Sequence, residues 1–179
     1  AANAEWLPQN NSYIRLGHSN ESTDKLRGHI DEFKFYNYPA LMYPQLDFGT
    51  VHPRGNIAVN GDFESGTDGW EIVDFSGSGT ATFDIDMTNP ISGNGSAHLD
   101  IDVIAGTNWN QQLRQHLVDD AVEGMGYIVR FKAKAEQAVD VELWLQQNGG
   151  NYAGWLVEPL NLTTDVQEFS FKSSVVGLN

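Results

Sequence analysis

The sequence predicts an all-β protein, an antiparallel β-sandwich of the jelly-roll type. Short runs that alternate apolar and polar residues recur along the chain. Clusters of turn residues, such as Asn60-Gly61-Asp62, Ser76-Gly77-Ser78-Gly79 and Asn148-Gly149-Gly150-Asn151, separate them. No stripe of apolar residues at i, i+3, i+4, i+7 spacing competes over a long window, apart from a turn near 118–122.

Each run earns its place by its period, because successive strand side chains point to opposite faces. Residues 13–17 and 28–36 read as two strands joined by a polar turn. Pro39, Pro44 and Pro53 then interrupt regular structure as far as Ile57, since proline withholds its N–H from any ladder. In 80–88, Ala81, Phe83, Ile85 and Met87 lie opposite Thr82, Asp84 and Asp86. In 97–103, Leu99, Ile101 and Val103 lie opposite His98, Asp100 and Asp102. In 127–135, Val129, Phe131 and Ala133 lie opposite Arg130, Lys132 and Lys134. Residues 139–145 and 169–171 repeat the pattern.

Two units are expected. A two-stranded unit buries too little surface to fold alone, so residues 1–50 read as the C-terminal tail of an upstream β-module plus a linker. Residues 51–179 read as one β-sandwich module.

Composition narrows the partners. The chain has 179 residues and a net charge of −14, with four basic and six acidic groups in residues 1–50 and six basic and eighteen acidic groups in 51–179. Such a field repels nucleic acid, anionic membranes and polyanionic substrates and leaves neutral ligands as partners. No run approaches the ~20 apolar residues of a membrane-spanning helix. Cysteine is absent, which removes disulfides, thiol nucleophiles and thiolate metal sites. The five histidines are scattered without metalloprotease spacing, and no pair of carboxylates is set by sequence about a glycosidic bond.

The run Asn60-Gly61-Asp62-Phe63-Glu64, followed by a small polar turn and Gly69-Trp70, resembles the start of a carbohydrate-binding module of the family 4, 9, 16 and 22 group. The resemblance continues through Ser92-Gly93-Asn94-Gly95-Ser96, through Trp109 ahead of a glutamine-bearing strand, through Phe131-Lys132-Ala133-Lys134-Ala135, and through Leu162-Thr163-Thr164 ahead of 167–171. It covers roughly residues 56–179 and implies a jelly roll that holds a glycan chain in a cleft. The family pattern closes with a strand not found after Phe171, so the module reads as truncated before its last strand. Residues 13–41 are similar to the end of a laminin-G-like (concanavalin-like) module and, less closely, to the missing final hairpin itself.

On this resemblance the binding residues are Trp109 and Tyr152 as stacking rings, with Gln112, Gln146 and Gln147 bonding sugar hydroxyls. An indole among amides, as in Asn108-Trp109-Asn110-Gln111-Gln112, suits a sugar ring, apolar on its face and polar at its edge. Counting by twos from Asp140 puts Glu142, Trp144 and Gln146 on the polar face of their strand, so Trp144 either packs under a loop or floors the cleft. Of Tyr152 and Trp155, one is expected to be core. Trp70 reads as a structural anchor.

The family also implies a structural calcium ion, with Glu64 as its first carboxylate and Asp31 in place of the missing closing aspartate. The Asp84/Asp86 and Asp100/Asp102 pairs read as solvated strand faces. Alternation in 29–36 sets Ile30, Glu32, Lys34 and Tyr36 against His29, Asp31, Phe33 and Phe35. Such a strand could dock beside 127–171 in cis, giving a monomer, or from a second copy, giving a strand-swapped dimer; otherwise it lies loosely as the remnant of another module. The sequence thus reads as a secreted, non-catalytic module that binds a neutral β-glycan for an attached polysaccharide-degrading enzyme, or alternatively as a β-sandwich spacer or adhesion module.

Overall fold

The computed structural model describes residues 12–18, 26–39, 56–75, 80–103, 109–117, 125–149 and 152–173. Asn108, the turn near 118–122, Ser76–Gly79 and Gly150-Asn151 lie outside them. Ten strands occur there: β1 (Ser12–His18), β2 (Arg27–Pro39), β3 (Glu71–Asp74), β4 (Thr80–Asp86), β5 (Ser96–Val103), β6 (Gln111–His116), β7 (Met125–Ala135), β8 (Val139–Gln147), β9 (Gly154–Leu162) and β10 (Gln167–Lys172). They form two five-stranded sheets, β3-β6-β1-β8-β9 and β10-β7-β2-β5-β4, and pair antiparallel throughout. The protein is the all-β sandwich that alternation predicts.

The period-two runs fill the space between the sheets. Ile14, Leu16, Leu113, Leu143, Leu145 and Leu156 face inward from one sheet, and Ile30, Phe35, Leu99, Ile101, Val129, Phe131 and Ala133 from the other, all buried. Phe33 stacks on Phe131 at 5.4 Å and meets Trp70 edge-on at 5.0 Å, while Phe35 stacks on Tyr127 at 5.2 Å. Such ring pairs add to the stabilisation that burial alone provides. Trp70 is the structural anchor expected of it: it is buried and donates from Nε1 to the Val59 carbonyl at 3.1 Å.

The N-terminal strands do not lie loosely. β1 sits between β6 and β8 at the centre of its sheet, and β2 between β7 and β5 at the centre of the other. Within the same chain they complete both sheets, so the strand pairing does not follow the division at residue 50. A strand in that position satisfies the ladder groups of two neighbours at once.

β2 also departs from its simple alternation. Pairing with β7 slips between Asp31 and Lys34, and Glu32 has φ 53°. A β-bulge of this kind inserts a residue and resets the phase. Ile30 therefore shares the core side with Phe33 and Phe35 instead of lying opposite them. At the bulge, the Phe33 N–H donates to the Gly61 carbonyl at 2.7 Å. A Cβ on residue 61 would stand 1.9 Å from the Phe33 carbonyl oxygen, so only glycine permits this approach.

Two strands, β3 and β9, carry no clear period in the sequence. β9 contains Pro159 and is an edge strand, where a residue without an N–H is tolerated.

Candidate functional site

The outer face of the β1 sheet carries a cleft of about 700 Å³ lined by Tyr13, Arg15, Phe75, Trp109, Gln112, Arg114, Trp144, Gln146, Asn148 and Tyr152. Strand register builds it. Across the sheet, Arg15 lies opposite Arg114 on one side and Trp144 on the other, and Tyr13 lies opposite His116 and Gln146. Gln112 lies opposite Gly17, which places no side chain beside it.

Three rings stand out of the wall: Phe75, Trp109 and Tyr152 are 54%, 52% and 57% exposed. Large aromatics left in water on one concave surface mark a contact site. By register, Trp109 stands near the Gly17 end of β1 and Tyr152 near its Ser12 end. Tyr152 has φ 53°, and its N–H donates to the Gly149 carbonyl at 3.0 Å. A bulky residue held at positive φ is strained, and here its ring lines the cleft. Trp155, by contrast, packs against the core.

The floor is polar and mostly self-paired. The Arg15 Nε–H donates to Gln146 Oε1 at 2.7 Å, and Gln146 Nε2 donates to the Tyr13 hydroxyl at 2.8 Å. Both ends of the Gln146 amide are thus engaged, and it orients Arg15 more than it offers itself to a ligand. The guanidinium lies 4.5 Å from the centroid of the Trp144 ring. Trp144 therefore floors the cleft, as one of its two expected roles, but one face is covered by Arg15; its Nε1 donates to Glu142 at 2.9 Å. Burial pushes the Arg15 pKa down to about 10, which leaves the side chain charged at neutral pH. Arg114 donates to Glu71 at 2.7 Å and sits 5.7 Å from the Phe75 ring.

Two buried polar atoms of this floor have no protein partner, Arg15 Nη1 and Gln112 Oε1. Arg15 is 3% and Gln112 2% exposed. The Gln112 amide is oriented by chemistry: its Nε2 donates to the Trp109 carbonyl, so Oε1 is the end left over. Buried polar atoms are nearly always paired in native proteins, and exceptions call for a reason.

Of the residues the sequence singles out, Trp109, Gln112, Tyr152, Trp144 and Gln146 are gathered here. Gln147 is not among the lining residues. Tyr13, Arg15, Phe75, Arg114 and Asn148 complete the cleft, and no local pattern announces them.

Glu64 and Asp31 meet a different surface, the turn at Ser92–Asn94. Glu64 accepts from the Asn94 N–H at 2.6 Å and from Asn94 Nδ2 at 2.9 Å. Those bonds hold its carboxyl below the usual glutamate range. It lies so close that a Cβ on Gly93, itself at φ 61°, would stand 2.1 Å from Oε1. Asp31 is buried and accepts from the Glu32 N–H at 2.7 Å and the Ser92 N–H at 2.8 Å, with the Ser92 hydroxyl 3.0 Å away. Burial raises its carboxyl, against the pull of those bonds. The two carboxylates supply the hard oxygens that calcium takes, although among the described residues no group of three or more acidic or histidine side chains surrounds one point. Asp84 and Asp86 pair with His98 at 3.1 Å and His29 at 3.0 Å, and Asp100 with Arg27 at 2.9 Å.

No curated protein and no solved structure matches the chain. The model of the carbohydrate binding domain matches residues 55–175, so β1 and β2 lie outside the match. An exposed aromatic wall over a polar floor and a match over more than half the chain agree: the chain belongs to the carbohydrate binding domain family, whose members are non-catalytic binding modules.

Proposed function

We propose that the cleft binds a chain of neutral β-linked sugars and that the module tethers an attached, secreted polysaccharide-degrading enzyme to its substrate. The observation that carries this is the trio of exposed rings over one polar floor. Trp109 and Tyr152 stack on sugar faces, Phe75 adds a third apolar contact beside Trp109, and Gln112 bonds hydroxyls. The two stacking rings flank opposite ends of β1. From Gly17 to Tyr13 the strand runs ~13 Å, longer than a single pyranose, which favours a chain over a monosaccharide. The overall charge of −14 favours neutral glycans over alginate or pectin. Stacking with a few hydrogen bonds gives a Kd on the order of micromolar to millimolar.

The test is a tryptophan-fluorescence titration with soluble β-glucan, xylan, glucomannan and laminarin. A saturable shift with one of them supports binding. No shift, with no retardation in an affinity gel, would leave a spacer or adhesion module.

A structural calcium ion belongs to the same reading, with Glu64 and Asp31 as its carboxylates. Supporting it is that both carboxylates accept hydrogen bonds from the Ser92–Asn94 turn. Calcium binding would raise the melting temperature and a chelator would reverse the rise; an unchanged value would leave both as hydrogen-bond anchors.

A further inference from the structure

We infer that Arg15 and Gln112 form a donor–acceptor couple that reads free hydroxyl groups, so that the cleft selects an unsubstituted sugar unit and rejects the same unit when it is etherified, esterified or oxidised to a uronate. The inference rests on the glycan-binding reading above and adds to it the chemistry of the unit bound between the two stacking rings.

The argument starts from the two unpaired atoms, Arg15 Nη1 and Gln112 Oε1. Leaving either buried and unsatisfied costs free energy that a structural polar group does not incur. On the same face of the sheet, Gln112 lies opposite Gly17, two residues along β1 from Arg15. Diagonal positions of this kind are about 7–8 Å apart at the backbone, the glycine between them adds no side chain, and both residues line the cleft. The couple is also fixed. Gln146 and Trp144 hold the guanidinium from two sides, and the Trp109 carbonyl holds the amide.

A ligand that satisfies both atoms must accept from Nη1 and donate to Oε1. A hydroxyl does both, and two neighbouring hydroxyls on one ring do so with no change of shape. A methyl ether or an acetyl ester only accepts, so it leaves Oε1 unpaired. A carboxylate also only accepts. It would gain the Arg15 charge but set its own lone pairs against Gln112 Oε1 and against an acidic protein. The presence of an arginine in the floor thus does not make this a site for acidic sugars.

Arg15 belongs to β1, outside the segment that matches the family model. Its part in selectivity follows from the pairing of β1 with β6 and β8, not from the matched residues.

The experiment uses the full chain and isothermal titration with hexasaccharides of β-1,4-linked glucose, xylose and mannose. Each is offered free, partially O-methylated, and, for glucose, oxidised at C6 to the uronate. For whichever free sugar binds, methylation is expected to weaken binding at least about tenfold, with the uronate no better. Arg15→Met and Gln112→Met are expected to weaken binding of the free sugar and to shrink the free-to-methylated ratio towards one. Equal binding of free and methylated sugars by the unaltered protein would overturn the inference, as would preference for the uronate. The unaltered protein decides this even if a variant fails to fold. If none of these free sugars binds and none of the four polysaccharides shifts the tryptophan fluorescence, the glycan reading itself falls, and this inference with it.

Discussion

Two polar regions of this molecule are finished differently. At the Ser92–Asn94 turn, Asp31 meets the Glu32 and Ser92 N–H groups, and both Glu64 oxygens face Asn94. In the cleft floor, Arg15 Nη1 and Gln112 Oε1 are left without a partner. The contrast recurs within one strand: Gln115 of β6 closes both ends of its amide on the Val59 backbone, at 2.9 and 2.8 Å, whereas Gln112 closes one. Burial does not separate Asp31 from Arg15 and Gln112, for all three are buried, although Glu64 is exposed. Satisfaction does. A saturated polar group holds elements together, and an unsaturated one awaits a partner from outside. Altering the first should cost stability and spare binding, and altering the exposed rings above the second should do the reverse.

The largest effect tests the binding side. Trp109→Ala is expected to remove glycan binding, a loss of about 2 kcal/mol or more, or roughly thirtyfold in Kd, while the melting temperature stays put. The ring is half exposed and contributes little to the core. Calorimetric titration and thermal melting on the same sample separate the outcomes. A mutant that unfolds would move Trp109 into the structural class and break the comparison.

The turn tests the other side. Asp31→Asn preserves shape, but its NH2 would face a donor where the carboxylate accepted. The expected cost is about 1–3 kcal/mol in urea unfolding, the penalty of leaving a buried group unsatisfied, with affinity for the glycan unchanged. Reduced affinity at unchanged stability would show that the turn belongs to the site.

How much of this was legible beforehand follows from the same physics. Alternation reported the strands because half-burial imprints it directly, as in 127–135. It failed at β2, where a bulge at Glu32 shifts the phase and no composition signals the extra residue. Trp109, Gln112 and Tyr152 could be picked out because their neighbours are amides and turn residues. Arg15 and Tyr13 could not, because they join the cleft only when β1 pairs with strands about a hundred residues away, and register is not written locally. The amide of Gln146 was legible as polar and cleft-facing. That Arg15 and Tyr13 occupy both its ends was not, since this depends on three strands at once.

Tyr152 sharpens the comparison by giving the two effects opposite signs. At φ 53° a tyrosine carries strain that glycine would not. Tyr152→Gly is expected to hold or raise stability, by up to about 1 kcal/mol, while weakening glycan binding severalfold. Strain at a ring-presenting position is then a cost sustained for function. A drop in stability would instead show the ring to be packed by the loop around it.

The smallest effect concerns pH, on the sheet away from the cleft. His29 packs against the His98 ring at 4.8 Å, with Asp86 3.0 Å away. Burial, with help from His98 and Lys134, lowers its pKa below the usual histidine value, and Asp86 only partly offsets this. A depressed folded-state pKa means that the fold prefers the neutral ring. Its contribution is therefore present above the unfolded-state pKa of about 6.5 and is lost as pH falls through the folded value. Asp31 works with the opposite sign, because its raised carboxyl is relieved by acid, but it does so nearer the carboxylate range. Between pH 7.5 and 5 the histidine should dominate, lowering the melting temperature by roughly 1–3 °C. His29→Gln should flatten that slope in thermal melts and leave glycan affinity unchanged, since β2 and β1 belong to different sheets. A slope that survives the substitution would place the pH dependence elsewhere, and a change in affinity would mean that the two sheets are coupled.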